Sequence, residues 1–273
     1  MSHFCRMRES ESFMRLTICQ TKIEFEEKER NLRHAKELIK EAAEKSSHLI
    51  AFPEMSFTGF SMNVQKTGET ERETVAEMAA LAKRYDINVA FGYVLLRGGK
   101  AENHYAIVSS SGEVISDYIK LHSFVMGGEG DCFRCGNSLP KTVETDGHRI
   151  ASVICFDLRF GELFRSISDD NSIILVPANW PHTRSEHWKT LLRARAIENQ
   201  IYVAGINCCG EQGNLKYSGD SMVIDPWGNI LACAKPFDEE IITLDIENTV
   251  DKARRDFPIR DCRRDEFFNK YLQ

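Results

Sequence analysis

Apolar strands and amphipathic helices follow one another in this chain in an order that occurs twice. A short apolar run ending in proline, His48-Leu49-Ile50-Ala51-Phe52-Pro53, has a counterpart in Ser172-Ile173-Ile174-Leu175-Val176-Pro177. Each run is followed by a helical segment (73–85 and 186–199) and then by another apolar strand, 88–92 and 201–205. A hairpin follows each half, turning near Gly112 and near Gly228. Two halves rich in βα units predict two sheets packed face to face with helices outside. Chance likeness between buried strands is the competing reading.

The first half opens with a predicted strand at 16–20 and a helix at 28–45. Leu32, Ala35, Leu38, Ile39, Ala42 and Ala43 recur there at spacings of three and four and form one buried stripe. Pro53 ends its strand, so Glu54 falls just beyond the strand's C-terminal end. Lys120 follows a predicted strand at 114–119. Residues 121–140, with Gly127, Gly128 and Gly130, read as loop. A strand at 149–154 leads to Cys155, and Asp157 reads as the cap of a helix that opens there.

No linker divides the 273 residues. The expected organisation is an N-terminal extension (1–13), one domain (14–250) and a charged C-terminal arm (251–273) that packs on the body or on a partner subunit. A net charge of −6 argues against nucleic acid, which needs a concentrated basic surface. The sequence contains no apolar run of the ~18–20 residues needed to span a membrane, and no signal peptide is recognisable. A cytoplasmic location is expected. The nine cysteines are then expected as free thiols, most of them small buried apolar groups.

Glu54, Lys120 and Cys155 each stand immediately after a predicted strand, where α/β sheets gather functional groups. A thiol, a carboxylate and an ammonium form a complete set: nucleophile, base and oxyanion stabiliser. At a strand-to-helix elbow, helix N–H groups are expected to lower the pKa of the Cys155 thiol. Taken singly, a buried structural cysteine and two surface charges are the competing readings.

The motifs Pro53-Glu54-Met55, Tyr118-Ile119-Lys120-Leu121-His122 and Ile154-Cys155-Phe156-Asp157-Leu158-Arg159-Phe160 resemble the three blocks of the nitrilase (carbon–nitrogen hydrolase) superfamily. Arg193-Ala194-Arg195 and Asp225-Pro226-Trp227-Gly228 are similar to later blocks, and the resemblance covers about residues 15–245. Pro53 to Phe60 and Ala178-Asn179-Trp180-Pro181 look most like the omega-amidase branch. Phe156 departs from it, standing where tyrosine is usual.

The resemblance implies a single-domain α/β fold, the four-layer αββα sandwich. It implies a homodimer with the helices after Cys155 and around 186–199 at the interface. It also implies thioester chemistry, with Cys155 as nucleophile, Glu54 as base, and Lys120 and the Phe156 N–H holding the oxyanion. Glu129 matches the second glutamate of the family. The implied substrate is a small omega-amido acid such as 2-oxoglutaramate, with neither metal nor organic cofactor. Arg184 is the first candidate for its far carboxylate and Arg159 the second, although Arg159 also reads as a structural helix residue. Trp180, Asn179, Phe60, Phe124 and His122 are candidate pocket residues. Aliphatic amidase, carbamoyl-amide hydrolase and nitrilase activities are alternatives, as is a catalytically silent binding protein. The Cys132/Cys135 and Cys208/Cys209 pairs lack the spacing of a zinc site.

Overall fold

The protein is described here by a computed structural model covering residues 13–268, 270 and 271. Residues 1–12 of the expected extension lie outside it, and Phe13, its last residue, opens the first strand.

One sheet contains β1 (Phe13–Gln20), β2 (Leu49–Ala51), β3 (Asn88–Arg97), β4 (Lys100–Val108), β5 (Val114–Ile119), the two-residue β6 (Phe133–Arg134) and β15 (Glu240–Glu247). Its order is β15-β1-β2-β3-β4-β5, with β6 beside β4. The second sheet contains β7 (Val143–Thr145), β8 (His148–Ser152), β9 (Ile173–Ala178), β10 (Tyr202–Asn207), β13 (Met222–Ile224) and β14 (Ile230–Cys233), in the order β14-β13-β10-β9-β8-β7. A separate hairpin joins β11 (Cys209–Gln212) to β12 (Leu215–Ser218).

The two sheets share one plan. The β1-β2-β3 strands are parallel, as are β8-β9-β10. Each trio is extended by an antiparallel hairpin, β4-β5 or β13-β14. Each is flanked on its first strand by an antiparallel neighbour, β15 or β7. The repeated sequence order is therefore a repeated topology.

Side-chain alternation decides which layer each face meets. Leu49, Ala51 and Ala90 face the core shared with Ile150, Ile174, Val203 and Val223 of the other sheet. Ile50, Val89 and Phe91 face the other way, onto Leu32, Leu38, Ile39, Val75 and Met78 of helices Lys28–Glu44 and Glu73–Tyr85. On the second sheet the outer layer is supplied by helix Ser185–Asn199, whose Trp188 and Leu192 are fully buried. The result is the expected αββα sandwich in one domain. No helix among the described residues is long and apolar enough to cross a membrane.

Several elements differ from the sequence reading. The β11-β12 hairpin and the short edge strand β7 carry little regular alternation and were not anticipated; nor was β15, although Ile242, Leu244 and Ile246 alternate there with polar residues and face the core. The 121–140 segment is not plain loop: a 3₁₀ turn (Val125–Gly127) and a four-residue helix (Glu129–Cys132) lie within it. The arm, for which no secondary structure was expected, begins with helix Val250–Asp256, and the chain lies against the body. There the Arg254 guanidinium donates to the Ser168 carbonyl at 2.7 Å, and Arg260 donates to that of Asn199 at 2.9 Å.

One glycine positions the centre of the molecule. A methyl group at Gly92 in β3 would collide with the backbone nitrogen of Met55 and stand 3.0 Å from the Glu54 carbonyl carbon. Only a residue without a Cβ lets this strand lie against the turn that carries Glu54.

Candidate active site

Glu54 leaves the end of β2 into a turn in which Met55 has a φ of +44°. Lys120 leaves the end of β5, and Cys155 follows β8 with a φ of +48°. A left-handed backbone at a non-glycine residue costs roughly 1–2 kcal/mol. At Cys155 it turns the chain sharply so that the sulfur faces the cleft.

The carboxylates and the ammonium are buried, Glu54 and Glu129 at 0 % exposure and Lys120 at 2 %. Lys120 Nζ donates to Glu54 Oε1 at 2.8 Å and to Glu129 Oε1 and Oε2 at 3.0 and 2.9 Å. Asn103 Nδ2, from β4, bridges both carboxylates at 2.8 and 3.1 Å. The backbone N–H of Asn179 donates to Glu54 Oε2 at 2.9 Å, and that of Phe124 to Glu129 Oε2 at 2.6 Å. Uncompensated, three such charges would be costly to bury. Here each has several partners.

Burial acts against the charged forms of both Glu54 and Lys120, but their mutual attraction prevails. Glu54 is held below the usual glutamate value by the Lys120 charge and by the Asn179 and Asn103 donors. Lys120 is pushed above the usual lysine value by Glu54 and Glu129. Cys155 corrects the sequence expectation, because its thiol is pushed well up. Burial is the largest cause, followed by the Glu54 charge, and Lys120 only partly offsets them. The element after Ile154 is a five-residue 3₁₀ turn, Cys155–Arg159, with the α-helix starting at Gly161, so the N–H field at the sulfur is slight. The resting site is thiol, carboxylate and ammonium.

A cleft of about 340 Å³ opens onto Cys155 and Lys120. Its walls include Phe60, Phe124, Phe156, Asn179, Trp180, Leu215 and Tyr217. Arg159 and Arg184 also line it. The Arg159 guanidinium lies 4.7 Å from the Trp180 ring centre, and that of Arg184 lies 5.4 Å from the Phe124 ring centre. Burial lowers the pKa of Arg159, and the neighbouring Arg184 charge lowers it further. Two cations so close, on apolar walls, form a setting for an anion.

Of the sequence candidates, His122 is not brought to the cleft. Its ring stacks on Phe160, with centroids 3.7 Å apart, and its Nδ1 lies 2.7 Å from Asp157 Oδ1. Asp157, third residue of the 3₁₀ turn, caps it by accepting the Ile154 N–H at 3.0 Å and also gathers the loops, taking the Tyr118 OH at 2.8 Å. Those bonds tie the end of β5 to the Cys155 elbow. Asn103 was missed, although a polar side chain in register with the inward-facing Tyr105 and Ile107 is a readable signal.

The family model described as Carbon-nitrogen hydrolase matches residues 15–255. The chain is 36 % identical over 251 residues to Omega-amidase YafV of Yersinia enterocolitica, covering 90 % of this chain and 95 % of that one. It is 31 % identical over 221 residues to 2-oxoglutaramate amidase of Bacillus subtilis, covering 80 % and 85 %. Among solved structures, XC1258 of Xanthomonas campestris, a CN-hydrolase superfamily protein with an arsenic adduct in its active site, superposes with a TM-score of 0.85. It is 31 % identical, over 90 % of this chain and 95 % of that one.

The buried charges give a direct test. Glu54, depressed in the fold, adds stability that is complete above its unfolded pKa and lost as pH falls through its folded one. Lys120→Met should reverse this trend, because two adjacent buried carboxylates without a cation raise each other's pKa. The variant should be destabilised by about 3–5 kcal/mol at pH 7.5 and should recover melting temperature as pH is lowered toward 5. Thermal melts of the two proteins across that range check it; parallel curves would count against the buried ion triad.

Proposed function

The chain belongs to the carbon–nitrogen hydrolase family and is a hydrolase of non-peptide C–N bonds, and on that premise we propose that it cleaves the terminal amide of small 2-oxo omega-amido acids. 2-Oxoglutaramate and 2-oxosuccinamate are the proposed substrates. The observation that carries this reading is the Arg159/Arg184 pair lining the same cleft as Cys155. The two guanidiniums suit the carboxylate end of the substrate, leaving its amide at the thiol. The relatives named for omega-amidase and 2-oxoglutaramate amidase support the same class.

In the proposed mechanism Glu54 is the general base. Its low pKa keeps it ionised while the Cys155 thiol is protonated, so the proton passes to Glu54 as sulfur attacks the amide carbon. The carbonyl π pair moves to oxygen, which Lys120 Nζ and the Phe156 N–H hold. Glu54 returns the proton to nitrogen as the C–N bond breaks, and ammonia leaves a thioester on Cys155. Water, giving a proton to Glu54, then attacks the thioester and releases the acid and the thiol. Each proton-transfer or oxyanion contact contributes about 10²–10⁴ in rate. Glu129 and Asn103 are the proposed orienters of Lys120. Phe60, Phe124 and Trp180 form the apolar walls, and Asn179 holds Glu54 in place. No step calls for a metal or organic cofactor.

We also propose a cytoplasmic homodimer that pairs through the faces of helices Gly161–Ile167 and Ser185–Asn199, with the 251–273 arm beside them. Exposed Ile197 on the second helix, with Trp227 and Phe257 stacked nearby, supports this. Sedimentation at micromolar concentration should give twice the chain mass, and a monomer would remove the dimer.

Ammonia release from 2-oxoglutaramate should be ready in the wild type and abolished in Cys155→Ala. Arg184→Ala and Arg159→Ala should each raise KM about 10- to 100-fold, the worth of a charged hydrogen bond, with a smaller effect on an uncharged aliphatic amide. Equal KM values for the variants and wild type on 2-oxoglutaramate would refute the carboxylate role.

A further inference from the structure

Gln212 ends β11 beside the hairpin turn, paired with Leu215. Leu215 and Tyr217 of this hairpin wall the cleft, but Gln212 does not line it. Its side chain is buried at 4 % exposure and points into the protein.

The Gln212 amide makes three contacts. Oε1 accepts the Phe60 N–H at 3.0 Å, and Nε2 donates to Asn179 Oδ1 at 2.8 Å and to Cys208 Sγ at 3.4 Å. Asn179 is in turn clasped to Glu54, its backbone N–H on Oε2 at 2.9 Å and its Nδ2 on the Glu54 carbonyl oxygen at 2.7 Å. Both amide orientations are determined by partners with one possible role. The Phe60 N–H can only donate, so Gln212 must turn Oε1 toward it. The Glu54 carbonyl can only accept, so Asn179 must turn Nδ2 toward it. Asn179 Oδ1 is then left facing two donors, Gln212 and the Cys208 thiol at 3.1 Å. The fit is close on the remaining side: a methyl group at Gly59, whose φ is +70°, would come within 2.6 Å of Gln212 Oε1.

We propose that Gln212 is a positioning residue for proton transfer, locking the Asn179 amide and through it the carboxylate of Glu54. It thereby couples the hairpin that walls the cleft to the group that moves the proton. This rests on the reading of Glu54 as the general base. The titratable groups around Glu54 are Lys120, Glu129, Cys155, Cys208 and, from the same hairpin as Gln212, Tyr217. None of them is contributed by Gln212, so its influence passes through hydrogen bonds.

The test is Gln212→Met, which keeps the length of the side chain and removes both kinds of hydrogen bond. Two readouts are taken against pH: the rate of Cys155 alkylation by iodoacetamide, followed by peptide mass, and kcat and KM for 2-oxoglutaramate. The expected result is an acid limb moved up by about one pH unit, the worth of one hydrogen bond to a charge. With it kcat falls about 10-fold and KM is nearly unchanged. An unmoved acid limb overturns the inference, whether KM rises or activity merely follows the folded fraction. A wild-type alkylation profile with no acid limb overturns the general-base reading and this inference with it. A normal wild-type limb that Gln212→Met leaves in place overturns this inference alone. If Gln212→Met does not fold, Gln212→Asn reads the same limb, since it adds no charge and its amide ends one methylene short of Asn179.

Discussion

The Lys120 ammonium, held between the Glu54 and Glu129 carboxylates out of contact with water, is the interaction around which the rest of the site is arranged. A lone charge in that position would shift its pKa and neutralise. Here the three groups are buried together, and backbone and amide donors from several elements complete their shells. Those elements belong to both sheets: β2, β4 and β5 bring Glu54, Asn103 and Lys120, while β9 brings Asn179. The triad therefore exists only when the sheets are packed face to face.

The repeated topology explains why the groups meet. β2 and β9 hold equivalent places in their sheets, and each passes through a proline region into a functional loop. Glu54 follows one and Asn179 the other, and the two residues clasp each other at the seam. Cys155 comes from β8, the counterpart of β1, at a backbone angle that few side chains adopt. Local strain at Met55 and Cys155 is offset by the surrounding core, which places rigid chemistry on short loops. The electrostatic order follows from the same arrangement. Burial and, after it, the charge of Glu54 push the Cys155 thiol up, while Lys120 holds the Glu54 carboxylate below its usual value.

Much of this was legible in the sequence. Helices Lys28–Glu44 and Glu73–Tyr85 announce themselves by periodicity, and the apolar runs before Glu54, Lys120 and Cys155 place those residues at strand ends. Other features depend on the assembled fold. The pKa of Cys155 depends on burial and on Glu54, roughly one hundred residues away in sequence, so a strand-to-helix elbow alone pointed in the wrong direction. His122 sits beside Lys120 in sequence, but the Asp157 carboxylate draws its ring onto Phe160. The β11-β12 hairpin is short, and only Leu215 and Tyr217 give it an apolar face, so it shows too little pattern to single out Gln212. Asn179 was anticipated as a pocket residue; its hydrogen bonds to Glu54 show what else it does.

The most direct measurement is a crystal structure of Cys155→Ala with 2-oxoglutaramate bound. The account predicts the substrate carboxylate between Arg159 and Arg184, with the amide carbonyl oxygen within hydrogen-bond reach of Lys120 Nζ and the Phe156 N–H. A substrate bound the other way round, with its amide at the arginines and its carboxylate against Lys120, would contradict it.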